Sequence, residues 1–223
     1  MKSGSLPAKV DVNLQRSFYD TRILPLMKLA QTGTVSLLFL DASHFVMGCD
    51  FLGYIYGKVR RFVKTYSGRK RYSVLGVLDF ITKKVITVTN DSYITGTEVC
   101  ELLTRISKEY AGKVVHIILD NARYQKCKFV QSKAKELGIN LLYIPPYSPN
   151  LNLIERLWKL VKSKLRTRYY DQFDVFKGTI DTIINGTHTV LKETVDRLIG
   201  EKVQIFDDLV AVTQNSFAKR PVA

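Results

Sequence analysis

The sequence is short of acids, cysteine, histidine and long apolar runs. Only 20 Asp and Glu stand against 34 Lys and Arg, a formal charge of +14. That imbalance favours a polyanionic partner, nucleic acid before membrane, the plainer alternative being a generously charged surface. Cys49, Cys100 and Cys127 are odd in number and widely spaced. They exclude a disulfide framework or a thiolate zinc site and suit reduced thiols in the cytoplasm. His44, His116 and His188 have no partners at metal-ligand spacing, and His116 reads as a core residue of a strand. No stretch reaches the ~18 apolar residues of a spanning helix, and the opening MKSGSLPAKVDV does not read as a signal peptide, so no membrane role is expected. Apolar and aromatic residues are not scarce: at 46% and 11% they suffice for a core, and 223 residues suit one domain with at most a small appendage.

Two apolar runs each end at an acid. Val35–Leu40 runs into Asp41 and Val114–Leu119 into Asp120, and both are short enough for buried strands. A third run, Leu141–Ile144, leads into Pro145-Pro146-Tyr147-Ser148-Pro149 and then a helix carrying Glu155. Between the last two runs, Ala122, Val130, Ala134 and Leu137 suit a crossover helix, which makes a parallel strand–helix–strand unit. Ligands of open sheets gather outside the carboxyl ends of such strands. Asp41 and Asp120 are therefore predicted to close strands on that side, with Glu155 delivered beside them. An aspartate at a strand end is, taken alone, often a turn former. Crowded carboxylates repel unless a cation joins them, and hard divalent ions take oxygen ligands. The pattern points to a metal site on Asp41, Asp120 and Glu155.

Residues 1–33 read as a polar lead-in and an amphipathic helix from Asp11, with Leu14, Phe18 and Ile23 on one side and a break or kink at Pro25. Residues 53–89 read as antiparallel sheet, with Tyr72–Leu78 and Val85–Thr89 joined through Thr82-Lys83-Lys84 and with Asp79 and Asp91 as turn acids. Thr97–Tyr110 has helical spacing. Three antiparallel strands followed by parallel ones predict an α/β fold, a mixed sheet flanked by helices over residues 34–170. Residues 171–223 read as helices packed on that core, with Phe173, Phe176, Ile180, Ile183 and Ile184 as one stripe and Val190, Leu191, Val195, Leu198 and Ile199 as another.

Cations cluster twice. Arg60, Arg61, Lys64, Arg69, Lys70 and Arg71 interleave with Tyr and Phe, a pattern for phosphate contact as well as for a solvated face. Arg156, Lys159 and Lys162 share one face of the Glu155 helix, and Arg123 follows Asp120 closely. Asn152-Leu153-Ile154-Glu155 is also a serviceable capping box, which would explain Glu155 with no chemistry at all. The stripe Ile154, Leu157, Trp158, Val161 and Leu165 reads as core. Either role can claim Glu155.

LLFLDASHFVMG, VVHIILDNARYQ and LLYIPPYSPNLNLIERLW resemble the three signature blocks of the mariner-superfamily transposases, which share the ribonuclease-H-like fold of the DDE nucleases. More narrowly, they resemble the bacterial insertion-sequence branch often called IS-six-thirty. Thirty-four residues separate Asp120 from Glu155, the interval of that branch, and the similarity spans roughly residues 35–170. The resemblance implies that Asp41, Asp120 and Glu155 are catalytic and hold two Mg²⁺ (or Mn²⁺) ions, with Asn121, Pro149 and Asn152 supporting the site. It implies double-stranded DNA as partner, both element ends and target, with staggered cutting at the ends and insertion at TA. Relatives act as dimers, so a homodimer is an expectation. Leu153 stands where many relatives have proline, a residue favoured but not required at a helix's first position. No helix-turn-helix is seen, so the recognition portion is expected to be separate, and the chain to be a catalytic fragment, one of two frames joined by frameshifting, or a decayed copy. Two other readings compete: a non-catalytic DNA-binding fragment that regulates transposition, and a structure-specific nuclease of the same fold.

Overall fold

Asp11 starts the first helix by accepting a hydrogen bond from Leu14 N–H at 2.9 Å. The computed structural model describes residues 9–48, 68–165, 168–200, 203 and 205. The chain runs from Val12–Phe18 (α1) through a π-helical turn, Tyr19–Ile23, into Leu24–Gln31 (α2). Pro25 does not end this helical run. It falls in the first turn of α2, where a missing N–H is tolerated, and Leu24 N–H reaches back to Tyr19 O. The expected apolar side is also revised: Leu14 is exposed, and Gln15 is buried instead.

Ser36–Met47 (β1) pairs antiparallel with Lys70–Asp79 (β2), and β2 with Val85–Asn90 (β3). Gly96–Glu109 (α3) follows, held at its start by a capping box between Thr95 and Glu98. Val115–Leu119 (β4) lies parallel to β1, and after Lys128–Glu136 (α4) comes Ile139–Tyr143 (β5), parallel to β4. A 3₁₀ turn, Pro149–Leu151, precedes Ile154–Leu165 (α5), and Phe173–Asn185 (α6) and Lys192–Leu198 (α7) complete the described elements. The sheet order is β3-β2-β1-β4-β5, three antiparallel strands and then two parallel ones, a ribonuclease-H-like arrangement. The stop predicted for β1 at Asp41 does not occur. β2 pairs with β1 from Leu38↔Asp79 to Met47↔Lys70, and this long ladder carries the strand past the acid.

Strand alternation sorts the side chains into two cores. Leu37, Phe39 and Phe45 of β1, Val74 and Leu78 of β2 and Ile118 of β4 pack with α2, α5, α6 and α7. Leu38, Leu40, Leu75, Val77 and Ile117 pack on the other face with α3 and α4. Phe176, Ile180, Ile184 and Val195 of the C-terminal helices join the first cluster, whereas Val190, expected in the second apolar stripe, is 92% exposed. No helix among the described residues is long and apolar enough to cross a membrane.

Asp79 shows what a structural acid looks like here. It is buried, and its carboxylate accepts from Ile81 N–H, Thr82 N–H and the Tyr110 hydroxyl at 2.7–2.8 Å, closing the β2–β3 turn. Removing a donor from a buried carboxylate leaves it under-satisfied. Tyr110→Phe should therefore lower the unfolding free energy by about 1–3 kcal/mol, as read from the midpoint of urea denaturation.

Candidate active site

Parity brings two acids to one face. Leu37, Phe39 and Phe45 point into the α5-side cluster, so Asp41 on the same strand does too, and Asp120 follows Ile118 at the same alternation. β4 pairs with β1 only up to Phe39↔Ile118. Beyond that register no strand among the described residues pairs with β1 on its β4 side, and the gap opens beside Asp41. Asp41 is thus level with the end of β4 rather than at the end of its own strand. Glu155 enters from the first turn of α5. Asp41, Asp120 and Glu155 together line a cleft of about 350 Å³ whose rim is the Pro145–Pro149 turn. In that turn Tyr147 takes φ 58°, a left-handed conformation uncommon outside glycine.

The start of α5 is fastened from below. Asn152 Nδ2 donates to Leu40 O on β1 at 2.8 Å, while its buried Oδ1 accepts nothing. The capping box read from Asn152 and Glu155 is therefore not formed. Asn152 spends its amide across the sheet, next to Asp41, and the Glu155 carboxylate is left to the cleft. Asn121 Nδ2 donates to Ile144 O, Ile144 N–H to Leu119 O at 3.0 Å, and Ala122 N–H to Asp120 Oδ1 at 2.9 Å. These bonds fix the ends of β4 and β5 and turn the chain sharply after Asp120. Pro149 opens the 3₁₀ turn that leads to Asn152.

Two supports escaped the sequence reading. Gly76 lies directly across the ladder from Asp41. A Cβ there would come within 2.8–2.9 Å of the Trp158 ring, so the glycine is what lets the indole lie down on the sheet beside the acid. An isolated glycine inside a strand is a signal for such close approach. Gln15 of α1 and Asn150 of the 3₁₀ turn exchange two amide hydrogen bonds of 3.0 Å, with Gln15 fully buried. No local pattern announces a pair 135 residues apart.

The electrostatics follow from crowding. Burial, then the charges of Asp120 and Glu155, push the Asp41 carboxyl up to about 7, against a smaller opposing pull from Ala42 N–H and the Trp158 indole. The indole Nε1 is buried and outside full hydrogen-bond geometry with any acceptor, so its pull is weak. Glu155 is also raised, by burial first, with Lys159 and Lys162 drawing it down and Asp120 pushing it up. Among the described residues, no three acidic, histidine or cysteine side chains stand close enough to form a ready-made metal cage. The three carboxylates share a cleft and one another's repulsion, and an all-oxygen donor set of this kind suits a hard divalent cation.

Residues 36–177 match the sequence profile of the DDE superfamily endonuclease domain. The chain belongs to the DDE superfamily of endonucleases. No curated protein sequence matches it. Among solved structures it is similar to Mos1 transposase in a paired-end complex with the left transposon end, with a TM-score of 0.61 and 14% identity over 92% of this chain and 68% of that one. The Mos1 paired-end complex with Mg gives 0.58 and 14% over 92% and 67%. The Mos1 catalytic domain with raltegravir and Mn gives 0.56 and 14% over 89% and 98%. At these identities the likeness speaks for the fold. The family span includes all three acids of this DDE endonuclease, with Gly76, Asn121, Asn152 and Trp158. It leaves out α1, α2, the end of α6 and α7.

The candidate DNA-binding cations divide. Lys159 is exposed on α5 beside Glu155, and Lys162 Nζ lies 5.8 Å over the Phe45 ring. Arg156 turns away, its Nη1 donating to Leu198 O at 3.0 Å. Arg123 is exposed on the loop after Asp120. Arg69, Lys70 and Arg71 line a separate pocket with Tyr93 and Phe173, in which the Arg71 guanidinium lies 4.6 Å over the Tyr93 ring. Arg71 pairs with Val46, so it stands roughly 17 Å along the ladder from Asp41. Arg60, Arg61 and Lys64 lie outside the described residues.

Trp158 is the sole tryptophan, so its emission reports on this site. Gly76→Ala should displace the ring, shift that emission and cost about 1–3 kcal/mol in urea denaturation. A second expectation concerns pH. Folding holds the Asp41 proton up to about pH 7, whereas an unperturbed aspartate releases it at 3.8. The folded state thus binds the extra proton, and the stabilisation is complete below about pH 4 and lost as pH rises through about 7. Chelator-treated protein should melt at falling temperatures from pH 5 to pH 8. Asp41→Asn should flatten that slope and be the more stable form at pH 8 by roughly 2 kcal/mol, less than the full shift because the carboxyl keeps solvent contact.

Proposed function

We propose that the chain is the catalytic domain of a mariner-superfamily DNA transposase, of the IS-six-thirty branch, that cuts DNA strands at element ends and joins them to target DNA at TA. The observation that carries this reading is the meeting of Asp41, Asp120 and Glu155 in one cleft, close enough that the other two raise the Asp41 pKa. Family membership and the Mos1-like fold support it.

Asp41, Asp120 and Glu155 would hold two divalent ions, Mg²⁺ or Mn²⁺, which supply charge stabilisation for the attacking and leaving oxygens of the phosphodiester. The chain's own groups do the rest. Asn152 and the Asn121–Ile144 bond hold the acids' backbones in fixed relation, so little reorganisation accompanies substrate binding. Trp158 and Ile154 pack over Gly76, the residue paired with Asp41, and close the sheet side of the site. Lys159 and Lys162 bring positive charge next to Glu155, where phosphates flanking the cut would lie. In cleavage, water attacks the phosphorus as its P–O3′ bond breaks, which leaves a 5′-phosphate and a free 3′-hydroxyl. In joining, that 3′-hydroxyl attacks a target phosphate and the target's own 3′-oxygen leaves as a hydroxyl. The reading includes a homodimer, a separate helix-turn-helix portion for end recognition, and action in the cytoplasm of a bacterial cell.

Purified protein with Mg²⁺ or Mn²⁺ should nick DNA carrying the element's ends. Asp120→Asn should slow this by roughly 100-fold or more while leaving the melting temperature and salt-dependent DNA binding close to wild type. Cutting that continues in EDTA, or in the Asp120→Asn protein, overturns the assignment.

A further inference from the structure

The catalytic cleft continues past Glu155. A second cleft of about 730 Å³ shares Pro149, Asn152 and Glu155 with it and runs between α5 and α7. Lys159 and Arg156 come from α5 and Arg197 from α7, with Ser163 and Asn150 as neutral hydrogen-bonding groups, and Glu155 at the junction is the acid among the lining residues. The walls are preformed. Gln15 holds Asn150 on one side, and on the other Arg156 Nη1 ties α5 to Leu198 O at the end of α7. Arg197 is exposed at the rim, with Nε donating to Glu193 O at 3.3 Å within its own helix. α7 lies beyond residue 177, where the family match ends, so the family assigns Arg197 no role.

We propose that this cleft binds the segment of DNA next to the bond being cut as a single, unpaired strand, with Lys159 and Arg197 on its phosphates and Ser163 and Asn150 as hydrogen-bonding partners. The proposal rests on the strand-cutting reading above. Continuity with the catalytic cleft gives the path, since a strand whose phosphate sits among the three acids runs out past Glu155. Charge gives the ligand class, because an acid-bearing site followed by cations suits a polyanion that crosses both. Size gives the strandedness. The volume of about 730 Å³ is in the range of concave sites that enclose a small ligand, roughly 300–1,000 Å³, which suits a short run of unpaired nucleotides lying within the cleft, whereas a duplex would lie across its mouth.

The test is binding without cutting. Fluorescence anisotropy in EDTA, over a range of salt, compares a blunt DNA hairpin with the same hairpin carrying a short single-stranded tail. Wild-type protein should prefer the tailed probe. Arg197→Ala should lower affinity for it by roughly 3–10-fold and reduce its salt slope by about one, with blunt binding unchanged, whereas Lys159→Ala should weaken both probes and the tailed one more. Arg197→Lys should keep most of the preference, and melting temperatures show that the variants are folded. A wild type indifferent to the tail, or an Arg197→Ala loss equal on both probes or absent, overturns the proposal. Metal-dependent cutting is measured apart: an Arg197-dependent tail preference in a protein that cuts nothing leaves the cleft standing and removes the cutting reading, and Asp120-dependent cutting with no tail preference does the reverse.

Discussion

Three like charges facing one small volume are the constraint around which this fold is arranged. Asp41, Asp120 and Glu155 would separate if their backbones were free, because each ionised carboxylate raises the cost of the next. What holds them is neutral: a five-stranded sheet that fixes Asp41 and Asp120 by pairing and parity, and one side-chain amide, Asn152 to Leu40 O, that fastens the Glu155 helix to β1. Packing completes the hold, with Trp158 lying against Gly76 and edge-on to Phe45 at a centroid distance of 6.3 Å. A site assembled this way stays under electrostatic tension until a cation or a proton relieves it.

Asp79 is the counter-example within the same sheet. Among the described residues it is as buried as any acid, yet three donors meet its carboxylate. The contrast separates structural acids from candidate catalytic ones by what surrounds them rather than by burial. Basic residues sort by the same logic. Arg156 serves helix packing, Lys159 and Lys162 bear on Glu155, and Arg71 stacks on Tyr93 well away from the acids. The overall charge of +14 therefore acts as several local fields, one of which borders the candidate site.

Much of this was legible in the order of residues. Apolar runs ending near Asp41 and Asp120, a crossover helix between two of them, and an amphipathic helix bearing Glu155 marked the sheet and the candidate acids. Two readings failed for want of the partner strand or helix. β1 runs on beyond Asp41 because β2 pairs with its whole length, and the Asn152–Glu155 capping box dissolves because Leu40 O lies within reach of the Asn152 amide. Leu14 and Val190 are exposed for a related reason: period alone marks an apolar position, but the neighbouring elements decide whether anything covers it.

The sequence by itself determined the strand parity, and with it the face on which Asp41 and Asp120 sit, because alternation along a strand is a local property of the backbone. It also determined the helical stripe that buries Trp158 and presents Glu155 one turn earlier. Only the tertiary structure decided that the gap beside Asp41 comes from the early end of β4, that Gly76 makes room for the indole, and that Gln15 and Asn150 meet. Those are contacts between segments far apart in the chain, and no local periodicity encodes which residue will stand opposite which.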